Sequence, residues 1–249
     1  MSAWLDPIRA ALATGETPIA FFMRDDDAGW ANSKLYALLD VVEESGMPID
    51  VAAIPAHLSL DCAVELDRRR KRAPGLRIHQ HGFAHVNHEA EGRKCEFGAS
   101  RDTLRQQADI RQGKDRLLAY LGPVDPVFTP PWNRCTQATV AALQREGFRV
   151  LSRESRATRL DLGDLADVPV SIDWRRKRDG VRTTPNETAI TIADQLRDGA
   201  TQVGLMLHHE TLEADDLKSL AGLMALMNGH PRVRAANIVE FGENNHAFG

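Results

Sequence analysis

The sequence predicts an α/β fold with a parallel sheet, arranged either as an α/β barrel or as a doubly wound sheet. Short apolar runs typical of buried strands alternate with longer stretches whose apolar residues recur at helical spacing. Because a helix between two strands joins them in parallel, this alternation favours a parallel sheet covered by helices. No Gly/Ser-rich linker or shift in composition divides the 249 residues, so one domain over 1–249 is expected.

Composition and charge narrow the classes of function. The net charge of −4 comes from 31 basic and 35 acidic residues that are mostly interspersed, and no basic stripe suits a nucleic-acid backbone. No apolar stretch is long enough to cross a bilayer, and the N-terminus lacks the apolar core of a signal peptide. The three cysteines form no C-x-x-C motif, which favours reduced thiols. We therefore expect a soluble cytoplasmic protein that binds no nucleic acid, with its oligomeric state left open.

The first half of the chain is expected to contribute three strands and three helices. The strands are "PIAFFMRDDD" (18–27), "PIDVAAI" (48–54) and "GLRIHQHG" (75–82), and the helices are 32–45, 59–73 and 100–121. Each strand is a short apolar run, and leucines recur at helical spacing in the first helix. Ser59 is placed to cap the second helix, while Ser100 opens the third and Gly122 ends it.

The second half is expected to alternate in the same way. Its strands are "PVFTPPW" (126–132), "FRVLSR" (148–153), "ADVPVSIDW" (166–174), "QVGLMLHHE" (202–210) and "RVRAANIVEF" (232–241), and its helices are 136–146, 187–198 and 213–228. Two prolines end the first of these strands because proline cannot donate to a sheet ladder, and Gly147 ends the first helix. The last strand is expected to close the sheet, and segments 86–99 and 153–166 are expected to be loops.

Chemically active side chains gather where the predicted strands end. Five strand ends carry them: "RDDD" (24–27), "HQHGFAH" (79–85), "TPPWNR" (129–134), "SIDW" (171–174) and "LHHE" (207–210). The loops after parallel strands converge at one edge of the sheet, where α/β folds build their sites. The sequence therefore predicts an active site at that edge.

His81 and His85 have the spacing of two metal ligands. Imidazoles four residues apart can bind one ion if the backbone turns helically after the strand, and a carboxylate completes the set. The "RDDD" run supplies that carboxylate, because consecutive buried acids need a compensating cation. The alternatives are a hydrogen-bonded structural histidine cluster and a helix N-cap with exposed acids. His79 and His88 are expected to lie outside the ligand set.

Together these residues predict metal-assisted hydrolysis. The ion would polarise a carbonyl and acidify a water, a carboxylate would accept the proton, and a histidine would protonate the leaving group. His208 or His209 is the expected acid, and Asp173 would orient its imidazole or another polar group. Trp132 and Trp174 either line the substrate pocket or pack in the core.

Read in order, the five segments resemble the motifs of the polysaccharide deacetylase family, also called NodB-type or carbohydrate esterase family 4. The resemblance spans roughly residues 18–210. It implies a distorted (β/α) barrel that removes N- or O-acetyl groups with one divalent metal ion, usually zinc. Against the family's T-F-D-D-G motif, "RDDDA" makes Asp26 the base and Asp27 a metal ligand. An alignment one residue earlier would give these roles to Asp25 and Asp26.

Three further motifs of the family have counterparts here. His81 and His85 match H-[ST]-x-x-H and would be the other two metal ligands. The pair Asp173–Trp174 matches the fourth motif, which makes Asp173 a catalytic candidate and Trp174 a substrate-binding one. "LMLHH" covers the L-x-H motif, and His208 is preferred as the acid because the next residue then falls where the family often has Asp.

The third motif, R-x-P-[FY], is only partly kept. Pro131 and the aromatic Trp132 are present as substrate-binding candidates, but Thr129 stands where the family has arginine. Arg134 is close enough in sequence to substitute for that arginine and is also a substrate-binding candidate. Gly82 likewise replaces the hydroxyl residue of the second motif.

These departures and the missing secretion signal shift the expected substrate away from cell-wall polysaccharide. The first hypothesis is a cytoplasmic deacetylase of an N-acetylated amino sugar or small glycoconjugate. The second is a cyclic-amide or ureide hydrolase of the same superfamily, and the third is a non-catalytic sugar-binding module. The His/His/Asp set accepts zinc, cobalt, manganese, iron or nickel.

Overall fold

The computed structural model describes residues 2–178 and 180–245. The strands are β1 (Ile19–Ala28), β2 (Ile49–Ala53), β3 (Leu76–His81), β4 (Val127–Thr129), β5 (Val150–Leu151), β6 (Ala166–Asp167), β7 (Ile172–Asp173), β8 (Lys177–Arg178), β9 (Val181–Arg182), β10 (Gln202–His208) and β11 (Val233–Ala235). The helices are α1 (Asp6–Thr14), α2 (Asn32–Ser45), α3 (Leu60–Arg72), α4 (Thr103–Leu121), α5 (Gln137–Arg145), α6 (Pro185–Arg197), α7 (Ala214–Asn228) and α8 (Ile238–Asn245).

The main sheet is parallel and curls into a distorted (β/α) barrel, as the resemblance implied. Its strands run in the order β6-β5-β4-β3-β2-β1-β10-β7; β11 also pairs with β1, and β8 and β9 form a separate antiparallel hairpin. β6 and β7 are consecutive in the chain but lie at opposite edges, so residues 168–171 span the gap between them. The single strand expected over 166–174 is therefore wrong. Val170 N–H still donates to the carbonyl of Arg153 at one edge, whereas Ser171 N–H donates to Gly204 at the other.

Alternate residues of β1 face opposite sides of the sheet. Phe21 and Met23 pack in the apolar layer beneath the helices, whereas Phe22 lies inside the barrel in a separate cluster with Met206 and Phe241. Arg24 and Asp26 continue the inner face of Phe22 toward the carboxyl end of the strand. The barrel interior is thus apolar at one end and ionic at the other.

The strand expected over 232–241 is wrong beyond its first half. β11 ends at Ala235, and α8 then closes the end of the barrel, where the ring of Phe241 lies 5.3 Å from that of Phe22. The buried carboxyl group of Asp50 accepts a hydrogen bond from Ile238 N–H at 2.9 Å and so holds the start of α8. The spacing of Ile238 and Phe241 is helical, a signal that the β-like composition of the segment masked.

Helix boundaries elsewhere follow their capping residues. Ser59 caps α3 by accepting from Cys62 N–H, and Gly122, at φ +71°, ends α4, both as expected. The N-cap of α4 is Asp102 and not Ser100, because the Ser100 hydroxyl donates to the carbonyl of His88 in the preceding loop. Helix α1 and the β8–β9 hairpin were not expected. No helix among the described residues is long and apolar enough to cross a membrane.

Candidate active site

The carboxyl end of β1 bends, and this bend separates three consecutive acids. The pairing of β1 with β2 shifts register between Asp25 and Ala28, and Asp27 adopts a left-handed conformation with φ +73°. A regular strand would send Asp25 and Asp27 to the same face. Here Asp25 faces His209, Asp26 faces Arg24 and Asp27 faces two histidines. The geometry therefore favours the alignment that uses Asp26 and Asp27 over the one that uses Asp25 and Asp26.

Asp27, His81 and His85 bring three donor atoms to one point. Asp27 Oδ1 lies 3.2 Å from His81 Nε2 and 3.3 Å from His85 Nε2, and all three atoms lie within 4.8 Å of one another. Oδ1 is buried and has no well-formed hydrogen bond to any described residue. Burial alone would raise the pKa of Asp27, but the neighbouring His81 and the charges of His208 and His85 hold it well below its usual range. An ionised carboxylate with two converging imidazoles fits a divalent cation.

Backbone contacts fix the ring of His81. Its Nδ1–H donates to the carbonyl of Thr129 at 3.0 Å, because a carbonyl oxygen can only accept. In the neutral imidazole this leaves the lone pair on Nε2, the nitrogen beside Asp27. Thr129, on the adjacent strand β4, therefore orients His81 so that its Nε2 can bind a metal ion.

The turn from His81 to His85 depends on two residues that sequence reasoning did not explain. Gly82 has φ +53°, and a Cβ there would lie 2.3 Å from Glu96 Oε2 and 2.5 Å from Pro131 Cδ, so no hydroxyl side chain fits. The buried Glu96 carboxylate accepts from Ala84 N–H at 2.7 Å and from Phe83 N–H at 3.2 Å. Glu96 therefore holds the ligand turn in place of a side chain at position 82.

Arg24 holds the candidate base. Its Nε and Nη2 groups donate to the two oxygens of Asp26 at 2.8 and 2.9 Å, and neither side chain is accessible to solvent beyond 2%. Arg24 also donates to Ser152 Oγ at 2.9 Å and to Asn133 Oδ1 at 2.7 Å. Burial alone would raise the pKa of Asp26, but the charges of Arg24, His81 and His208 lower it, which keeps the carboxylate ionised.

Arg134 does not replace the missing third-motif arginine, so that hypothesis is wrong. Its guanidinium donates to the carbonyl of Lys94 at 2.8 Å and lines the mouth of the site. The smaller Thr129 hydrogen-bonds through Oγ1 to His79 at 2.9 Å, inside the barrel and near Arg24. Burial and the charge of Arg24 lower the pKa of His79 to about 3, so His79 is a neutral neighbour of the site.

Arg24→Lys and Arg24→Met test this positioning role. A lysine ammonium cannot hold both carboxylate oxygens, so we expect Arg24→Lys to lower kcat about tenfold with little change in KM. Arg24→Met removes the charge and should lower kcat about a hundredfold, because the base then loses its orientation and its ionised form is disfavoured. Steady-state kinetics and thermal unfolding of both variants check this. A methionine variant with wild-type kcat would contradict the role.

His209, the second histidine of "LHHE", forms a buried ion pair with Asp25. His209 Nδ1–H donates to Asp25 Oδ2 at 2.7 Å, and Nε2–H donates to the carbonyl of Trp30 at 2.9 Å. Burial would lower the pKa of His209, but Asp25 overcomes it and raises the pKa to about 9. With both nitrogens engaged, His209 has no group free for substrate. His208 is the member of the pair that faces the cavity.

This ion pair predicts a pH-dependent stability. Because the folded pKa of His209 lies above the ordinary value of 6.5, its contribution is fully present below pH 6.5 and is lost as the pH rises through about 9. His209→Gln should lower the free energy of unfolding by about 3 kcal/mol at pH 6. Urea denaturation between pH 6 and pH 10 should show the difference from wild type shrinking, while the exposed control His88→Gln shows none. A difference independent of pH would refute the charged state.

His208 lies beside the candidate base, on the adjacent strand β10. Its Cα is the register partner of Asp26, and its side chain lines an open cavity of about 410 Å³ together with Asp173. Burial raises the pKa of Asp173, against the opposing charges of His208 and Arg176. The described contacts include no hydrogen bond between Asp173 and His208, so the orienting role of Asp173 stays a prediction.

The aromatic candidates have different surroundings. Trp132 lines the cavity, with its ring centroid 4.4 Å from that of His85. Trp174 also lines the cavity but is only 3% exposed and packs edge-on against Trp4 at 6.2 Å, so its contact with substrate stays a prediction. Pro131 is buried over Gly82 and supports the ligand turn, and its contact with substrate stays a prediction.

Sequence reasoning missed Arg24, Glu96 and Asn133. The contact between Arg24 and Asp26 could have been predicted, because residues two apart in a strand lie on the same face of the sheet. Glu96 and Asn133 lie in irregular segments, where no periodicity reports side-chain direction.

Comparisons with known proteins bear on the fold. No protein-family model and no curated protein sequence matches the chain. Among solved structures, a Mycobacterium smegmatis protein assigned to the polysaccharide deacetylases is similar, with a TM-score of 0.73, 18% identity and coverage of 94% of this chain and 95% of the other. An allantoinase gives a TM-score of 0.69 with 11% identity, covering 94% and 92%. A family 4 acetyl xylan esterase from Clostridium thermocellum, solved with cobalt, gives 0.60 with 14% identity, covering 91% and 92%. These similarities establish the fold.

Proposed function

We propose that this chain, which has the fold of the NodB-type polysaccharide deacetylases and carbohydrate esterase family 4, is a metal-dependent hydrolase. Its proposed reaction removes an acetyl group from an N-acetylated amino sugar or small glycoconjugate. The observation that carries the proposal is the convergence of Asp27, His81 and His85 within 4.8 Å of one another. Two further groups act on this donor set: the charge of His208 lowers the pKa of Asp27, and the charge of Asp26 raises the pKa of His81.

The ligands and the ion have separable roles. Asp27, His81 and His85 would hold one divalent ion, with zinc expected and cobalt, manganese, iron or nickel also compatible with the donor set. Such an ion supplies Lewis acidity, which polarises an acyl carbonyl and acidifies a water molecule.

Asp26 and His208 are proposed to move the protons. Arg24 holds both oxygens of Asp26 and keeps its pKa low, so the group is ionised and able to accept a proton from the attacking water. His208 faces the cavity from the adjacent strand and would donate a proton to the leaving nitrogen. Trp132 would contact the acyl-bearing ring from the side of His85.

A cyclic-amide or ureide hydrolase is the second candidate, because an allantoinase shares the fold at a TM-score of 0.69. The same base, acid and metal ligands would serve amide hydrolysis in a ring. A small substrate and a cytoplasmic location remain proposals in either case.

The test begins with protein stripped of metal by a chelator and reloaded with zinc or cobalt. A panel of N-acetyl amino sugars and cyclic ureides is then screened for released acetate and for new amine. Acetate from the sugars, absent without metal, is the expected result. Ring opening of the ureides alone would select the second candidate, and turnover of neither class with tight sugar binding would indicate a non-catalytic module.

A further inference from the structure

We infer that the substrate carries an anionic group, a carboxylate or a phosphate, which the arginines at the cavity mouth bind. This inference rests on the proposed function, because it concerns the substrate of that same site. The arginine rim is defined as the five arginines that line the cavity beside His208: Arg93, Arg134, Arg175, Arg176 and Arg182.

The rim concentrates positive charge in a chain whose net charge is −4. Five arginines line the cavity against two acids, Glu154 and Asp173. A cavity with this excess attracts anions and disfavours cations.

Most of the rim forms no ion pair with a described carboxylate. Arg175 pairs with Asp216 at 3.0 Å, but no described carboxylate lies within ion-pair distance of Arg93, Arg134 or Arg176. The Arg134 guanidinium donates to a backbone carbonyl and forms no ion pair with a described carboxylate. Burial and the nearby charge of Arg93 lower the pKa of Arg134, and the nearby charge of Glu154 opposes this only in part.

The chemistry of the rim is selective for oxyanions. A guanidinium offers paired N–H donors that match carboxylate and phosphate oxygens, and a neutral polysaccharide would leave these charges unpaired. The adjoining face of Trp132, with Lys94 Nζ 6.0 Å from its ring, supplies an apolar platform beside the charges. The site thus offers one surface to a sugar ring and another to an acidic substituent.

Arg176 lies where the main cavity meets a second cavity. It lines the main cavity and also a neighbouring polar cavity of about 160 Å³, which shares Glu154 and Asp173 with the main cavity and adds Arg156 and Glu187. The acetyl-bearing end would lie at Asp27 and His208, so the acidic end would lie at the rim of the main cavity and not in the second cavity, where three acids face two arginines.

The experiment compares three related sugars on zinc-loaded protein: N-acetylglucosamine, its 6-phosphate and N-acetylmuramic acid, whose lactyl ether carries a carboxylate. At least one anionic sugar should have a kcat/KM about tenfold or more above that of the neutral sugar, and the ratio should fall as salt rises from about 0.05 to 0.5 M. Comparing the 6-phosphate with N-acetylmuramic acid shows whether the rim prefers a phosphate or a carboxylate. Equal kcat/KM values for all three would overturn the inference and leave the deacetylase proposal intact.

If none of the three sugars is hydrolysed, binding measurements distinguish the anion site from the deacetylase proposal. Calorimetry on the zinc-loaded protein should still give an anionic sugar about tenfold tighter binding than the neutral one. That outcome would retain the anion site and remove the deacetylase assignment. Equal or undetectable binding of all three would overturn the anion site.

Two charge-reversal variants, one on the rim and one away from both cavities, test the anion site directly. Arg176 is exposed, so Arg176→Glu is expected to fold, and it should reduce the anionic-to-neutral selectivity ratio at least about tenfold. Arg159→Glu makes the same charge change at an exposed arginine that lines neither cavity, and it should keep the wild-type ratio. Equal losses in both variants would show a long-range charge effect and would overturn the proposed rim site.

Discussion

Asp26→Asn is expected to lower kcat about a thousandfold, because an amide cannot accept the proton that the base removes from water. The three metal ligands are untouched, so the variant should bind one equivalent of zinc as wild type does. The substitution also leaves Arg24 without its buried counterion, and some loss of stability should accompany the loss of rate.

The measurement pairs steady-state kinetics with zinc content and thermal unfolding at the assay temperature. Asp50→Asn is the matched control, since it makes the same change at another fully buried aspartate inside the barrel. Burial raises the pKa of Asp50 to about 8, so this carboxyl is mostly protonated at neutral pH and an amide should replace it at little cost. Near-normal turnover in folded, zinc-loaded Asp26→Asn would mean that another group is the base.

His81→Ala is expected to weaken zinc binding by at least about a hundredfold, because two protein ligands hold the ion poorly. The Nε2 of His81 is one of three donor atoms, and its ring is already fixed by Thr129. Activity should disappear together with the metal, since no step of the proposed hydrolysis works without it.

Competition with a chromophoric chelator gives the zinc dissociation constant, and elemental analysis after gel filtration gives the occupancy. His79→Ala removes another buried imidazole from the same strand, one that lies outside the donor set, and should keep near-wild-type affinity. Full zinc occupancy and affinity in His81→Ala would refute the ligand assignment.

The strand ends that carry the site could be predicted from the sequence, because an apolar run followed by charged residues is recognised from neighbouring residues alone. The spacing of His81 and His85 and the order of the motifs were sufficient to nominate the metal ligands. The fold followed from the same alternation, and the fold comparisons confirm the distorted barrel. The strand expected over 166–174 failed because the segment pairs with both edges of the sheet, and pairing partners are not encoded locally.

The sequence by itself determined the βα order, the edge of the sheet that carries the chemistry, and the residue types available there. Only the tertiary structure decided what each of those residues does. A bend in one strand sends Asp25, Asp26 and Asp27 to three different partners. Arg24 supplies the guanidinium beside Asp26, although the motif comparison places an arginine at position 129. The physical reason is that side-chain direction at a bulge, and the pairing of buried charges, depend on atoms brought together from distant parts of the chain.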